Sequence, residues 1–157
     1  MPNSNDNSNN NSVTQLVAEI NGLLADHFAL YVKTKNFHWH VKGPRFRDLH
    51  LLFDEQALAI QGQIDVIGER ARKLGGDTIT SVGMIAQHTQ VKDQDSAAVT
   101  AEDMITELRD DNAAMVGRLK QMKEAADAAG DNATDGLIDD WTDAAEERVW
   151  FLNALLG

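Results

Sequence analysis

"NFHWHVKGPRFRDLHLLFDEQALAIQGQIDVIGERARKLGG", residues 36–76, decides how the rest of the chain is read. A helical pattern ends near residue 39 and "VKGP" breaks it. A second helix is expected from Pro44 to about Leu74, where Gly75 and Gly76 stop it. Three of the chain's five histidines, His38, His40 and His50, cluster around the break. His50 and Asp54 are four residues apart, as are Asp65 and Glu69, so each pair shares a helix face. At about 100° per residue, Asp65 returns to within about 20° of Asp54 around the axis. All four therefore lie on one stripe, with the two acids about 16 Å apart along it. Metal–ligand bonds are only about 2 Å long, so one chain cannot close a site with both pairs.

Two chains can. If this helix packs antiparallel on its own symmetry mate, His50 and Asp54 of one copy face Asp65 and Glu69 of the other, and the two-fold builds two identical sites. The helices would cross near residues 59 and 60, with Ala57, Ala59 and Gly62 small enough for close approach. His38 can then add a third ligand from the first chain. Imidazoles and carboxylates without sulfur suit Fe(II), Mn(II) or Zn(II), with iron the natural choice for redox work.

Outward from this stretch, residues 1–12 are Asn/Ser-rich with one charge, Asp6, and are expected to be a disordered tail. Residues 13–157 form one domain. Apolar spacing predicts helices over about 13–39 and 44–74, one after Thr100, and one over about 133–156. The long link over 75–100 has room for a short helix in "SVGMIAQ". No stretch alternates long enough to demand a strand. Four long helices with one long crossover predict an all-α, ferritin-like four-helix bundle. The usual intrachain di-iron signature of such bundles, Glu-x-x-His, does not occur here.

With no cysteine, disulfides and thiolate metal sites are excluded, which suits a reducing cytoplasm. No apolar run is long enough to span a membrane, and the N-terminus lacks a Sec-type signal pattern. A cytoplasmic location is expected. The formal charge of −11 repels nucleic acid and attracts cations.

The motifs "NFHWHVKGPRFRDLH", "FDEQ" and "DVIGERARKLGG", with the closing "RVWFLNALL", resemble the Dps family, the DNA-binding proteins from starved cells or mini-ferritins. The resemblance runs from about residue 13 to the end. It implies a homododecameric shell with an inter-subunit ferroxidase centre. The implied ligands are His38, His50 and Asp54 from one chain with Asp65 and Glu69 from its partner. Two irons per centre are implied, with zinc or manganese as substitutes. Fe(II) is oxidised by hydrogen peroxide, or by dioxygen, and stored as a mineral, which protects DNA. Trp39 would sit beside the centre, either to intercept oxidising equivalents or to pack in the core.

Members that bind DNA often use basic tails, yet the first 32 residues here hold no Lys or Arg and the chain closes just after its last helix. DNA binding is expected to be weak or absent, and nucleoid association is not favoured. That argues against the alternative, a non-catalytic DNA-compacting shell. Asp135, Asp139, Asp140 and Asp143 are candidates for an acidic three-fold pore that admits iron. Arg70 is expected in a salt bridge between subunits. His40 is read as a loop residue in preference to an accessory ligand, and His27 and His88 as structural.

Overall fold

The computed structural model describes residues 4–157 and consists of five helices: α1 (Ser4–His40), α2 (Phe46–Lys73), α3 (Val82–His88), α4 (Ala101–Ala128) and α5 (Asn132–Leu156). There is no strand among the described residues. Four long helices and one short crossover helix match the expected bundle. The helical start at Ser4 differs from the disordered tail expected over residues 1–12; residues 1–3 of that tail lie outside the described residues. The Asn/Ser turns over residues 6–11 are exposed and touch no core. Extending a helix fixes one residue per hydrogen bond gained, so turns anchored by Leu16 can propagate backwards. Side-chain bonds from Ser12 to the Ser8 carbonyl and from Thr14 to the Asn10 carbonyl add to them.

The long helices bury apolar stripes against one another: Leu16, Ile20 and Leu30 of α1, Phe53, Ile60 and Ile67 of α2, Ile105, Leu108 and Met115 of α4, and Ile138 and Leu152 of α5. α1 packs on α2 and α4, and α5 packs on α4 and α2. Each fully buried Leu or Ile contributes roughly 1.5–3 kcal/mol, which makes this seam the main source of cohesion.

Polar residues on α1 set the course of the crossover. Asn21 binds Asp77 O and Ile79 N, Asp26 accepts from Thr89 and Gln90 N, Lys33 donates to Lys92 O, and Asn36 donates to Gln94 O. Ascending numbers on both sides mean that the crossover runs in the same direction as α1. It therefore delivers the chain to the far end, and α4 starts beside the end of α1. The ion pairs Lys33–Asp111 (2.8 Å) and Asp26–Arg118 (2.6 Å) confirm that α4 descends along α1. Thr100 caps α4 by accepting from Asp103 N. At the start of the crossover, Gly75 ends α2 with φ +86°, and a Cβ on Gly76 would overlap Val17, which explains the glycine pair.

Candidate metal centre

The turn over residues 41–45 brings the end of α1 back over the start of α2. Buried Val41 pins it to the core, and Phe46 N donates to Gly43 O. This places His38 and His50, twelve residues apart in sequence, with their rings stacked at 3.9 Å and 13°. The two imidazoles orient each other reciprocally. His38 Nδ1 lies 2.6 Å from His50 O, and His50 Nδ1 lies 2.7 Å from His38 O. A carbonyl only accepts, so both rings donate from Nδ1, which leaves Nε2 as the nitrogen available to a ligand. The Phe46 ring stacks on His50 at 5.1 Å and limits its rotation. Asp54, one turn on from His50, sits with Oδ1 3.9 Å from His38 Nε2. Two imidazoles and a carboxylate thus converge on one side of the α1–α2 junction.

Asp65 and Glu69 do not join them. Both are exposed further along α2, and neither has a hydrogen bond or ion pair among the described residues. No group of three His, Cys, Asp or Glu side chains in one chain could hold a metal ion among the described residues. The face of α2 that carries Asp54, Asp65 and Glu69 also exposes Leu51 (46%), Leu58 (54%) and Val66 (43%). Ligand-type side chains and large apolar ones interleave there, an arrangement that water alone does not favour. Gly62 lies on this stripe with open space above it, whereas Ala59, though exposed, faces the cleft between α2 and α5. Ala57 is off the stripe as well: it is fully buried in the chain's own core and cannot line a helix crossing.

Residues 17–157 match the ferritin-like domain family. The chain is 36% identical over 146 residues to the DNA protection during starvation protein of Brevibacillus brevis, covering 92% of this chain and 97% of that one. The crystal structure of a Dps protein from Bacillus brevis superposes with a TM-score of 0.88 at 35% identity, over 93% of this chain and 98% of that one. The chain belongs to the Dps family of ferritin-like proteins. A Dps structure from Vibrio cholerae O1, described as a member of a broad superfamily of ferritin-like diiron-carboxylate proteins, superposes with a TM-score of 0.88 at 27% identity, over 94% of this chain and 92% of that one.

Within this Dps-family chain the structure adds a residue that sequence reasoning missed. Lys35 Nζ binds Asp54 Oδ1 at 2.8 Å. That hydrogen bond is the main reason the Asp54 carboxyl is held below the usual carboxylate range. The signal was available: Lys35 lies three residues before His38 and four before Trp39, on the same helical face. Its ammonium stands 5.9 Å from the Trp39 ring, which is 62% exposed and so is not a core residue of the single chain.

The acids of α5 are also less free than their spacing suggested. Lys123 of α4 pairs with Asp139 and lies 3.8 Å from Asp135, so this cation relieves part of the like-charge repulsion. Asp140 and Asp143 are exposed with no such partner among the described residues. Arg70 pairs with Asp131 of its own chain at 3.3 Å, where a bond between subunits was expected. Asp131 caps α5 at the bend next to the end of α2, which puts it within reach. His40 is exposed and its Nδ1 is taken by Asn36; His88 ends α3, exposed. His27 is fully buried between Leu23 O and Gln63, and burial pushes its pKa down to about 4.

Proposed function

We propose that two copies pack α2 against α2, antiparallel, and that His38, His50 and Asp54 of one copy then hold a pair of Fe(II) ions together with Asp65 and Glu69 of the other. The observation that carries this reading is the stripe itself: exposed Leu51, Leu58 and Val66 alternate with Asp65 and Glu69, which have no partner among the described residues. Burying the apolar side chains drives association, and the acids then need a cation to offset their desolvation. Iron is the substrate. Each Fe(II) gives one electron; together two of them reduce hydrogen peroxide, with two protons, to two molecules of water. Taking the electrons as a pair avoids release of hydroxyl radical. The chain's own part is to aim two Nε2 lone pairs, supply carboxylates that favour the higher charge of Fe(III), and keep both irons in one place.

Twelve such chains form the proposed shell, in which Fe(III) is stored as a mineral. DNA is protected by removal of its oxidants and not by contact. With −11 per chain, binding to phosphates is weak. Plasmid retarded in a gel at neutral pH and moderate salt, without divalent cations, would contradict this.

The shared site has a decisive test. Asp54→Ala and the double change Asp65→Ala, Glu69→Ala should each abolish rapid Fe(II) oxidation while assembly persists. After unfolding and co-refolding in equal amounts, half the dimers are mixed and one of their two sites is whole. About a quarter of the activity should return. No recovery, with mixed dimers demonstrated by mass spectrometry, sinks the shared site.

A further inference from the structure

A second apolar surface lies around the side of α2, where its first turns meet the last turns of α5. Trp150 and Phe151 of α5 are 65% and 38% exposed, although Arg148 and Leu152 next to them are buried. The two rings meet edge-on, with centroids 4.9 Å apart and planes at 84°. With Leu51, Leu52 and Leu155 they line a shallow groove of about 530 Å³. Two large aromatic side chains left in water side by side mark an interaction surface, because such residues anchor protein contacts when they are covered.

The groove carries opposite charges at its two ends. Arg45, in the turn before α2, is exposed and donates to Leu155 O at 3.2 Å, so a guanidinium stands where α5 ends. Glu55 lies roughly 15 Å further on at 1.5 Å per residue, and it is exposed on α2 as Glu147 is on α5. A basic end, an apolar middle and an acidic end suit a neighbour that presents the same series in turn. Leu51 belongs both to this groove and to the α2 stripe, so a copy seated here continues the contact made there. A two-fold contact is saturated by two chains. In a closed shell of twelve, each chain's remaining contacts run head to tail around three-fold axes.

We propose that the α2–α5 groove is the second self-interface of this chain, at which three copies close head to tail. Trp150 and Phe151 of one copy are covered by the next, and Arg45 of one faces Glu55 of another. The inference rests on the shell proposed above and divides its work: the α2 stripe completes the metal centre, and this groove joins the dimers that enclose the mineral.

Trp150→Glu in the full chain should keep its helix content, because the ring is exposed, and should stop at the dimer. By sedimentation, the concentration needed to form the shell should rise at least about 30-fold. Fe(II) oxidation should stay within about twofold of the wild-type rate, since the α2 stripe is untouched, while the Fe(III) formed precipitates in place of staying in solution. Arg45→Glu should also halt assembly at the dimer, and Glu55→Lys added to it should restore the shell. A Trp150→Glu chain that assembles like the wild type overturns the proposal. So does one that falls to monomers and loses oxidation, which would put the patch at the two-fold. An Arg45→Glu, Glu55→Lys chain that stays dimeric overturns the head-to-tail contact. A wild-type chain that itself stops at the dimer overturns the shell first, and this contact with it.

Discussion

The outer face of α2 and the centre of the bundle use polar residues in opposite ways. On the outer face, Asp65 and Glu69 are exposed, without a partner among the described residues, and interleaved with Leu58 and Val66. At the centre, His27, Gln63, Asn112 and Arg148 are tied to one another or to backbone, and no acid is among them. A ferritin-like bundle normally builds its di-iron site from carboxylates facing the interior. Here these interior groups are amides, one imidazole whose two nitrogens are already taken by Leu23 O and Gln63, and a guanidinium, a set that leaves no free ligand for a divalent cation. In the proposed site the metal-binding donors stand outside, where a second copy completes them. On that proposal the bundle keeps its frame and moves its chemistry from the core to an interface.

The strongest way to break this contrast is to spoil the outer face alone. Leu58→Glu puts a charge in the middle of the apolar stripe. Leu58 is 54% exposed in the single chain, so the bundle should retain its helix content. The α2–α2 contact should not form, and Fe(II) oxidation should drop by more than about 100-fold, because each half-site loses its partner. Sedimentation, circular dichroism and stopped-flow oxidation on one preparation would check this. Full activity in a dissociated Leu58→Glu chain would place the whole site within one protomer.

Sequence spacing alone located most of the outer face, because a helix repeat is rigid. Asp54 and Asp65 had to share a stripe wherever the helix packed. It misplaced Ala57, which lies about 100° around the helix from Leu58, on the far side of Asp54, and turns into the core. The interior was far less legible. His27 could be read as structural, but nothing in the periodicity showed that Gln63 would meet it or that Asn112 would hold Arg148. Such partners come from four different helices, and their meeting depends on helix rotation and the course of the crossover. The intrachain partner of Arg70 was hidden for the same reason: Asp131 follows it by 61 residues and meets it only because α5 begins beside the end of α2.

Acid should act on the centre of the bundle. In the folded chain His27 titrates near 4, whereas its unfolded value is 6.5. The folded pKa is depressed, so between pH 6.5 and 4 the unfolded chain takes up a proton that the folded one resists. Stability is complete above about pH 6.5 and falls as pH drops, by about 3 kcal/mol at pH 4 from this residue. His27→Gln should flatten that part of the stability curve and leave iron stoichiometry at pH 7 unchanged. An acid limb just as steep in His27→Gln would assign the loss to other groups.

The smallest expected effect lies at the point where the outer face is already partnered. Lys35 occupies the Asp54 oxygen that a metal would need. Both side chains are partly exposed, and such pairs hold weakly. A divalent cation bound by two imidazoles as well should therefore displace the ammonium, but at some loss of affinity. Lys35→Met keeps the length and apolar stem of the side chain and removes the competitor. Anaerobic calorimetry should find Fe(II) or Zn(II) bound roughly two- to fivefold more tightly. The gain should vanish in Lys35→Met combined with Asp54→Asn, because the carboxylate is what Lys35 competes for. Weaker binding in Lys35→Met would mean that the lysine holds Asp54 in place for the metal, which would turn a competitor into a support.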